Sequence, residues 1–251
     1  MPIIGPVALF SFLGAVALIV GFYHSHLESQ LLRADPDTWA PHASLVQFAV
    51  RNGASIFDSR CAACHGNHGR GSTSMGVPDL TDADWLYGEG SVSDIERVIS
   101  YGIRSNNPKA WNLAGMPAFG RPQTSPPNPN IRPLPAGAIN DVIEYLRSLQ
   151  GLPADGRAAA RGAGVFGNTG ACFDCHGVDA RGDSAIGAPN LADQIILYGD
   201  GSRQSLFDSI SMGRQGVCPG WSGKLTPAQI RETAFYVHSL AASARAPLVA
   251  Q

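Results

Sequence analysis

The sequence is poor in charge, and above all in lysine. Charged residues make up 15% of the 251 residues, against a typical share of about 25%. Only Lys109 and Lys224 are lysines, and the formal net charge is −2. Proteins that bind nucleic acid neutralise phosphates with an excess of basic side chains. The composition therefore argues against a nucleic-acid partner.

Cysteine is scarce as well, and its number is odd. Five cysteines cannot all pair within one chain, which excludes a complete disulfide framework. Glycine and proline are plentiful, with 29 and 18 residues, yet their sum stays below the roughly 25–30% that is typical of low-complexity disorder. The sequence thus predicts a folded, turn-rich protein whose cysteines serve another purpose.

The first 27 residues contain no Asp, Glu, Lys or Arg. Residues 3–23 are almost wholly apolar, and 21 helical residues span about 31 Å, enough to cross a hydrocarbon core of about 30 Å. A cleaved secretory signal has a basic start and a shorter apolar stretch. We therefore predict a retained transmembrane anchor that contacts lipid through residues 3–23. His24 and His26 follow it, and with no further ligands nearby they are interpreted as solvated interfacial residues.

The rest of the chain contains an internal repeat, whose two copies are offset by 111 residues. The motif Cys61-Ala-Ala-Cys64-His65 recurs as Cys172-Phe-Asp-Cys175-His176. The agreement continues downstream, where Gly76, Pro78, Leu80, Leu86, Tyr87 and Gly88 correspond to Gly187, Pro189, Leu191, Leu197, Tyr198 and Gly199. Such a register indicates an internal duplication of about a hundred residues.

Both halves carry helical patterns and no convincing strands. Apolar residues recur at helical spacing from Ala138 to Leu149. Thr226-Pro-Ala-Gln229 is typical of a capping box that begins a helix. Gly53 and Gly162, each four residues before a phenylalanine, permit close helix crossings. The predicted class is all-α, with two tandem domains behind one transmembrane helix. The expected segments are an anchor (1–27), a linker (28–44), two domains (45–151 and 152–242) and a tail (243–251).

The Cys-x-x-Cys-His motif is the attachment signal for c-type haem. Its two cysteines form thioethers with the haem vinyl groups, and its histidine lies under the iron. The alternatives are a zinc site, which needs four closed ligands, and a redox dithiol. Because the motif occurs twice in the same register, we predict two covalently bound haem c groups, held in two tandem class I-like cytochrome c domains. Their attachment residues are Cys61, Cys64, Cys172 and Cys175, and their iron ligands include His65 and His176.

The sixth iron ligands are expected downstream of each motif. Met116, in Gly-Met-Pro, follows Cys64 by 52 residues, and Met/His ligation is usual for electron transfer because the thioether raises the potential. Met116 is therefore predicted to bind the first iron. In the second half Cys218 stands in the place of Met116. Three interpretations stay open for it: a thiolate ligand of the second iron, a bystander, or a free reactive thiol.

Several segments together resemble the dihaem subunit III of cbb3-type cytochrome c oxidases. They are Gly-Val-Pro-Asp-Leu-Thr-Asp-Ala-Asp-Trp-Leu-Tyr-Gly (76–88), Gly-Ala-Pro-Asn-Leu-Ala-Asp-Gln-Ile-Ile-Leu-Tyr-Gly (187–199) and Gly-Arg-Gln-Gly-Val-Cys-Pro-Gly-Trp (213–221). In the last segment the family has Met where this chain has Cys218. The resemblance covers about residues 45–242 and the preceding anchor.

The resemblance implies an electron-transfer subunit rather than a catalyst on its own. It would take electrons from a soluble or membrane cytochrome, or from the quinol side, and pass them to integral membrane subunits of a respiratory complex. It would lie in the cytoplasmic (inner) membrane as a single-pass protein, with its haem domains on the periplasmic side. The alternatives are a dihaem subunit of another membrane complex, a thiosulfate- or sulfur-oxidising enzyme with a Cys-ligated haem, and a sensor in which Cys218 exchanges on iron reduction.

Overall fold

The computed structural model describes residues 6–38, 43–122 and 132–245. In this part of the chain the structure is helical, with isolated bridges but no strand, which confirms an all-α class. Most of the Pro-rich stretch at 121–135 lies outside the described residues. The α-helices are α1 (Pro6–Arg33), α2 (Ala43–Arg60), α3 (Ala62–His65), α4 (Val92–Tyr101), α5 (Ala136–Leu149), α6 (Gly156–Gly164), α7 (Phe173–His176), α8 (Arg203–Met212) and α9 (Pro227–Arg245), and a π-helical turn, Val165–Thr169, follows α6.

Helix α1 extends further than the sequence indicated, because it continues through the first residues of the expected linker to Arg33. The side chain of Leu31 explains this: it is only 1% exposed and packs in the core formed by α2, α4 and α9. The guanidinium of Arg231 also donates hydrogen bonds to the carbonyls of Leu31 and Ala34, at 3.0 and 2.9 Å. Among the described residues, none of the helices combines the length and the apolar character needed to cross a membrane.

The two packed bodies do not coincide with the two sequence halves. Helix α2 packs against α9, from the opposite end of the chain, while α5 packs against α6. Helix α4 also contacts α9, and α5 contacts α8. We call α2, α3, α4 and α9 body A, and α5, α6, α7 and α8 body B. Body B is thus inserted between the two parts of body A, and each body takes helices from both predicted domains, 45–151 and 152–242.

A short connection explains this arrangement. Only residues 150–155 separate α5 from α6, and helices joined by so few residues pack as neighbours. Helices α2 and α5 belong to the same half of the duplication, but the short connection holds α5 beside α6. Helix α9 is then the one that covers α2.

The chain crosses between the bodies along two paired segments. The backbones of Ile103 and Cys218 exchange hydrogen bonds of 2.9 and 3.0 Å, and those of Met116 and Arg214 exchange two of 3.0 Å. Ile103 and Arg214 are 111 residues apart, so the two pairs are related by a pseudo-two-fold axis. The crossing therefore carries Met116 towards body B and Cys218 towards body A.

The same pseudo-symmetry joins the loops that follow the two motifs. The amide of Gly88 donates to the carbonyl of Ser184 at 3.1 Å, and the amide of Gly199 donates to that of Thr73 at 3.0 Å. The ring of Tyr198 lies against Gly76, and Tyr87 lies likewise against Gly187. Both glycines have a positive φ, of 65° and 75°, so a side chain there would be strained and would also overlap the tyrosine ring.

The helix signals in the sequence are confirmed. Thr226 and Gln229 form the reciprocal capping box, with hydrogen bonds of 2.9 and 3.2 Å. In α5 the buried side chains are Ile139, Val142, Ile143 and Leu146. A methyl group added to Gly53 would overlap the backbone carbonyl of Glu232, and one added to Gly162 would overlap that of Asp141. Both glycines thus permit close crossings, although each partner helix belongs to the other half of the duplication.

We expect Gly162→Ala to lower the free energy of unfolding by about 1–3 kcal/mol, because the added methyl group forces α6 away from the α5 backbone. Chemical denaturation followed by circular dichroism measures this change. Gly164→Ala is the matched control on the same helix, since no atom lies within 4 Å of its added methyl group. It should be neutral or stabilising by up to about 1 kcal/mol. An equal loss in both variants would contradict the close crossing.

Candidate haem sites

Each Cys-x-x-Cys-His motif forms a single helical turn at the end of a longer helix. In body A this turn is α3, which follows α2, and the ring of Phe57 lies 6.3 Å from the imidazole of His65. Phe57 also contacts Tyr236 of α9, at a ring-centroid distance of 5.2 Å. In body B the same place is taken by Phe166, whose ring lies 5.4 Å from Tyr145 of α5. The phenylalanine that follows each close-crossing glycine thus packs at the helix crossing beside its motif.

The histidines are set to ligate through one ring nitrogen. Nδ1 of His176 lies 3.0 Å from the carbonyl oxygen of Pro189, and this contact leaves Nε2 available to a metal. Pro78 is the counterpart beside His65. Burial lowers the pKa of both imidazoles, while the neighbouring proline carbonyls act in the opposite direction. The neutral imidazole that results is the form that binds iron. Both prolines recur in the duplication, so the sequence marks their positions. It does not show that their carbonyls lie beside the histidines.

The surroundings of the cysteine thiols do not favour a reactive redox pair. Burial raises the pKa of Cys61 and of Cys172 to about 11, whereas reactive Cys-x-x-Cys pairs have lowered values. A zinc site is not supported either. Among the described residues, neither motif brings together three side chains with ligand atoms close enough to share a metal ion. Of the three alternatives, haem attachment fits these motifs best.

The structure brings Met116 to the second motif and not to the first. Met116 packs against the buried core of body B, which it shares with Cys172, Phe173 and Leu191. Its backbone bonds to Arg214 fix it there. The expected partnership with His65 therefore differs from the observed placement, and the reason is the crossing of the chain between the bodies. The alternative methionines, Met75 and Met212, are more than half exposed.

Cys218 lies correspondingly at the first motif. Its thiol is near enough to Cys61 to contribute to the raised pKa of that residue, and its backbone pairs with Ile103, just beyond α4. Burial, and secondarily Cys64, raises the pKa of the Cys218 thiol. A coordinating metal nevertheless deprotonates a thiol outright. The structure thus places Cys218 at the haem site opposite to the one expected.

Unpaired buried donors at these sites also suit a bound haem. The indole nitrogens of Trp85 and Trp111 are buried without a hydrogen-bond partner among the described residues. Leaving a buried donor unpaired costs about 1–3 kcal/mol. Trp85 packs beside the body A core together with Cys61, and Trp111 contacts Tyr87. Haem carries two propionates, which accept hydrogen bonds, so the residues present fit this group.

In a comparison with known proteins, the two halves of the sequence match two different family models. Residues 50–150 match the family described as cytochrome c, and residues 157–237 match cytochrome C oxidase, cbb3-type, subunit III. The chain is 42% identical over 197 residues to a cbb3-type cytochrome c oxidase subunit FixP of Bradyrhizobium sp.. It is 36% identical over 214 residues to subunit CcoP of Cereibacter sphaeroides, and 39% over 222 residues to subunit CcoP of Rhodobacter capsulatus.

The chain belongs to the cbb3-type cytochrome c oxidase subunit III family. The matches cover 78%, 85% and 85% of this chain, in the order just given. They span 62%, 69% and 70% of the three relatives. As a subunit III protein with a duplicated cytochrome c unit, the chain carries two covalently bound haem c groups.

Proposed function

We propose that this chain is the dihaem electron relay of a cbb3-type cytochrome c oxidase. It accepts single electrons from a soluble or membrane cytochrome, or from the quinol side, and delivers them to the integral membrane subunits of the complex. Haem c supplies reversible one-electron chemistry when bound. The observation that carries the proposal is the pseudo-two-fold contact of the loops at 73–88 and 184–199, which joins the two haem sites directly.

The ligand set that we propose is crossed between the two bodies. Cys61 and Cys64 attach the first haem, with His65 on its iron, and Cys218 is the sixth ligand. Cys172 and Cys175 attach the second haem, with His176 and Met116 as ligands. The packing of Met116 and Cys172 against the same buried core, and the backbone pairing of Cys218 with Ile103 just beyond α4, support this assignment.

The joined loops fix the distance between the two sites. Each tyrosine, Tyr87 or Tyr198, fills the space above a glycine of the opposite loop. Tyr87 is further held by the guanidinium of Arg104, which donates to its hydroxyl at 2.8 Å and to the carbonyl of Ala114 at 2.8 Å. Because Ala114 lies just before Met116, one arginine connects the inter-body contact to a ligand segment. Such a connection keeps both sites in one arrangement during electron transfer.

We further propose that residues 3–23 anchor the protein as a single pass in the cytoplasmic membrane, with both bodies on the periplasmic side. Between residues 13 and 23, α1 exposes a set of large apolar side chains, of which Leu18, Ile19 and Phe22 are 77%, 68% and 78% exposed. Tyr23, at the end of this set, is 62% exposed and suits a membrane interface. The relatives' assignment to an oxidase is consistent with such an anchor.

Affinity purification of the tagged chain from native membranes tests the function. We expect haem–copper oxidase subunits to co-purify, and the chain's haem c to be reduced by a cytochrome donor and reoxidised by oxygen only in that complex. A chain lacking residues 1–27 should retain haem but leave the membrane fraction. Turnover of thiosulfate by the isolated chain, without oxidase subunits, would instead indicate a sulfur-oxidising enzyme.

A further inference from the structure

One cluster of ligand side chains lies apart from both haem sites. His24 and Glu28 occupy successive turns of α1, with Nδ1 of His24 3.6 Å from Oε1 of Glu28. Glu232 approaches them from α9. Taking one ligand atom from each residue, all three atoms lie within 4.8 Å of one another. The structure therefore adds Glu232, from the far end of the chain, to the pair that α1 supplies.

Glu232 is unusual because its carboxyl group is buried. The residue is 2% exposed, and among the described residues it forms no salt bridge with Lys or Arg. Its Oε1 accepts one hydrogen bond, of 2.9 Å, from the amide of Asn52. Burial, followed by the charge of Glu28, raises the pKa of Glu232. An ionised carboxylate is costly to bury unless it is paired or coordinates a metal.

The imidazole of His24 also contacts residues of α2. The ring of His24 packs edge-on against Phe48 of α2 at 5.0 Å, and its Nε2 lies 3.3 Å from the amide nitrogen of Asn52. Three helices thus meet at this point: α1 supplies His24 and Glu28, α2 supplies Phe48 and Asn52, and α9 supplies Glu232.

We propose that His24, Glu28 and Glu232 form a divalent metal site, suited to Zn²⁺, that fastens α1 to body A. One imidazole nitrogen and two carboxylate oxygens are typical zinc ligands, and an open fourth position is taken by water. Calcium and magnesium prefer oxygen ligands alone. Ligand atoms about 2 Å from zinc can be at most about 4 Å apart, so rotations of the exposed His24 and half-buried Glu28 suffice to close the site.

Metal binding here would act where α1 leaves body A. Residues 13–23 expose the apolar face of α1, and His24 directly follows them, while Leu31 and Arg231 already hold the end of the helix. A metal ion at His24 adds an attachment one to two turns closer to the apolar segment. The site would therefore fix the direction in which the proposed anchor departs, independently of haem ligation.

Zinc titration of the full-length holoprotein in detergent, after treatment with a chelator, tests the site. We expect one Zn²⁺ per chain by calorimetry and by elemental mass spectrometry. His24→Ala, Glu28→Gln and Glu232→Gln should each weaken binding by at least about tenfold. His26→Ala is the matched control, because His26 lies on the same helix but bonds to Gln30. It should leave the affinity unchanged.

A second measurement separates loss of the site from loss of fold. Zn²⁺ should slow amide hydrogen exchange in residues 24–33 of the wild type and not of Glu232→Gln, whose haem spectrum should be unchanged. The proposal is overturned if no stoichiometric zinc binds, which would mark a hydrogen-bonded cluster only. It is equally overturned if binding survives all three ligand substitutions or disappears in His26→Ala.

Discussion

Replacing Met116 with leucine should remove the methionine signature of the haem attached at Cys172 and Cys175, and leave the other haem unchanged. Leucine keeps the volume of Met116 in the body B core, so the fold should survive. The lost thioether lowers the potential of the second haem by on the order of 0.1 V or more, since axial ligands set haem potentials over about 0.8 V. Haem-resolved redox titration measures this shift.

Single-haem variants decide which iron Met116 serves. With Cys61→Ala and Cys64→Ala together, only the second motif can attach haem. The charge-transfer band of methionine-ligated ferric haem should persist in this protein and vanish when Met116→Leu is added. If the band were already absent before Met116 was changed, Met116 would belong to the first motif, and the crossed ligand set would be refuted.

Changing Cys218 to methionine should raise the potential of the first haem by on the order of 0.2 V. A thiolate ligand stabilises ferric iron through its negative charge, and the neutral thioether of methionine does not. Low-temperature EPR should show a low-spin thiolate signal in the wild type that is absent from Cys218→Met. In the variant with Cys172→Ala and Cys175→Ala, which keeps only the first haem, this signal should remain.

The neighbouring Val217 offers a matched control. Its side chain is 67% exposed, so Val217→Met introduces a methionine one residue away without reaching the site, and the potential should not move. Alkylation distinguishes the remaining interpretations of Cys218. A thiol that reacts fully in the ferric holoprotein would be free, and unchanged EPR in Cys218→Met would identify it as a bystander.

Local signals predicted the local structure well. The spacing of apolar residues indicated α5, and the Thr226–Gln229 pair indicated the start of α9, because both depend on neighbours within one or two turns. The glycines Gly53 and Gly162 indicated close helix crossings. Which helix each glycine would meet could not be predicted, since both halves of a duplication carry interchangeable surfaces.

The end of α1 likewise could not be predicted from local sequence signals. Residues 28–33 are polar enough to suggest an exposed connection, yet they continue α1 because Leu31 finds a buried position between helices from both ends of the chain. The histidines at 24 and 26 were interpreted as solvated for a similar reason. Glu232, the proposed third ligand with His24, lies some two hundred residues further along the chain.

The sequence by itself determined the helical class, the duplication and the two c-type haem attachment motifs, because each is set by residues only a few positions apart. It also identified Met116 and Cys218 as the candidates for the sixth iron ligands, one a thioether and the other a thiol. Only the tertiary structure showed beside which motif each of them lies. The short connection between α5 and α6 keeps those helices together, so the chain must cross between the bodies twice. That crossing carries Met116 towards body B and Cys218 towards body A, which underlies the crossed ligand set that we propose, and sequence register alone cannot reveal it.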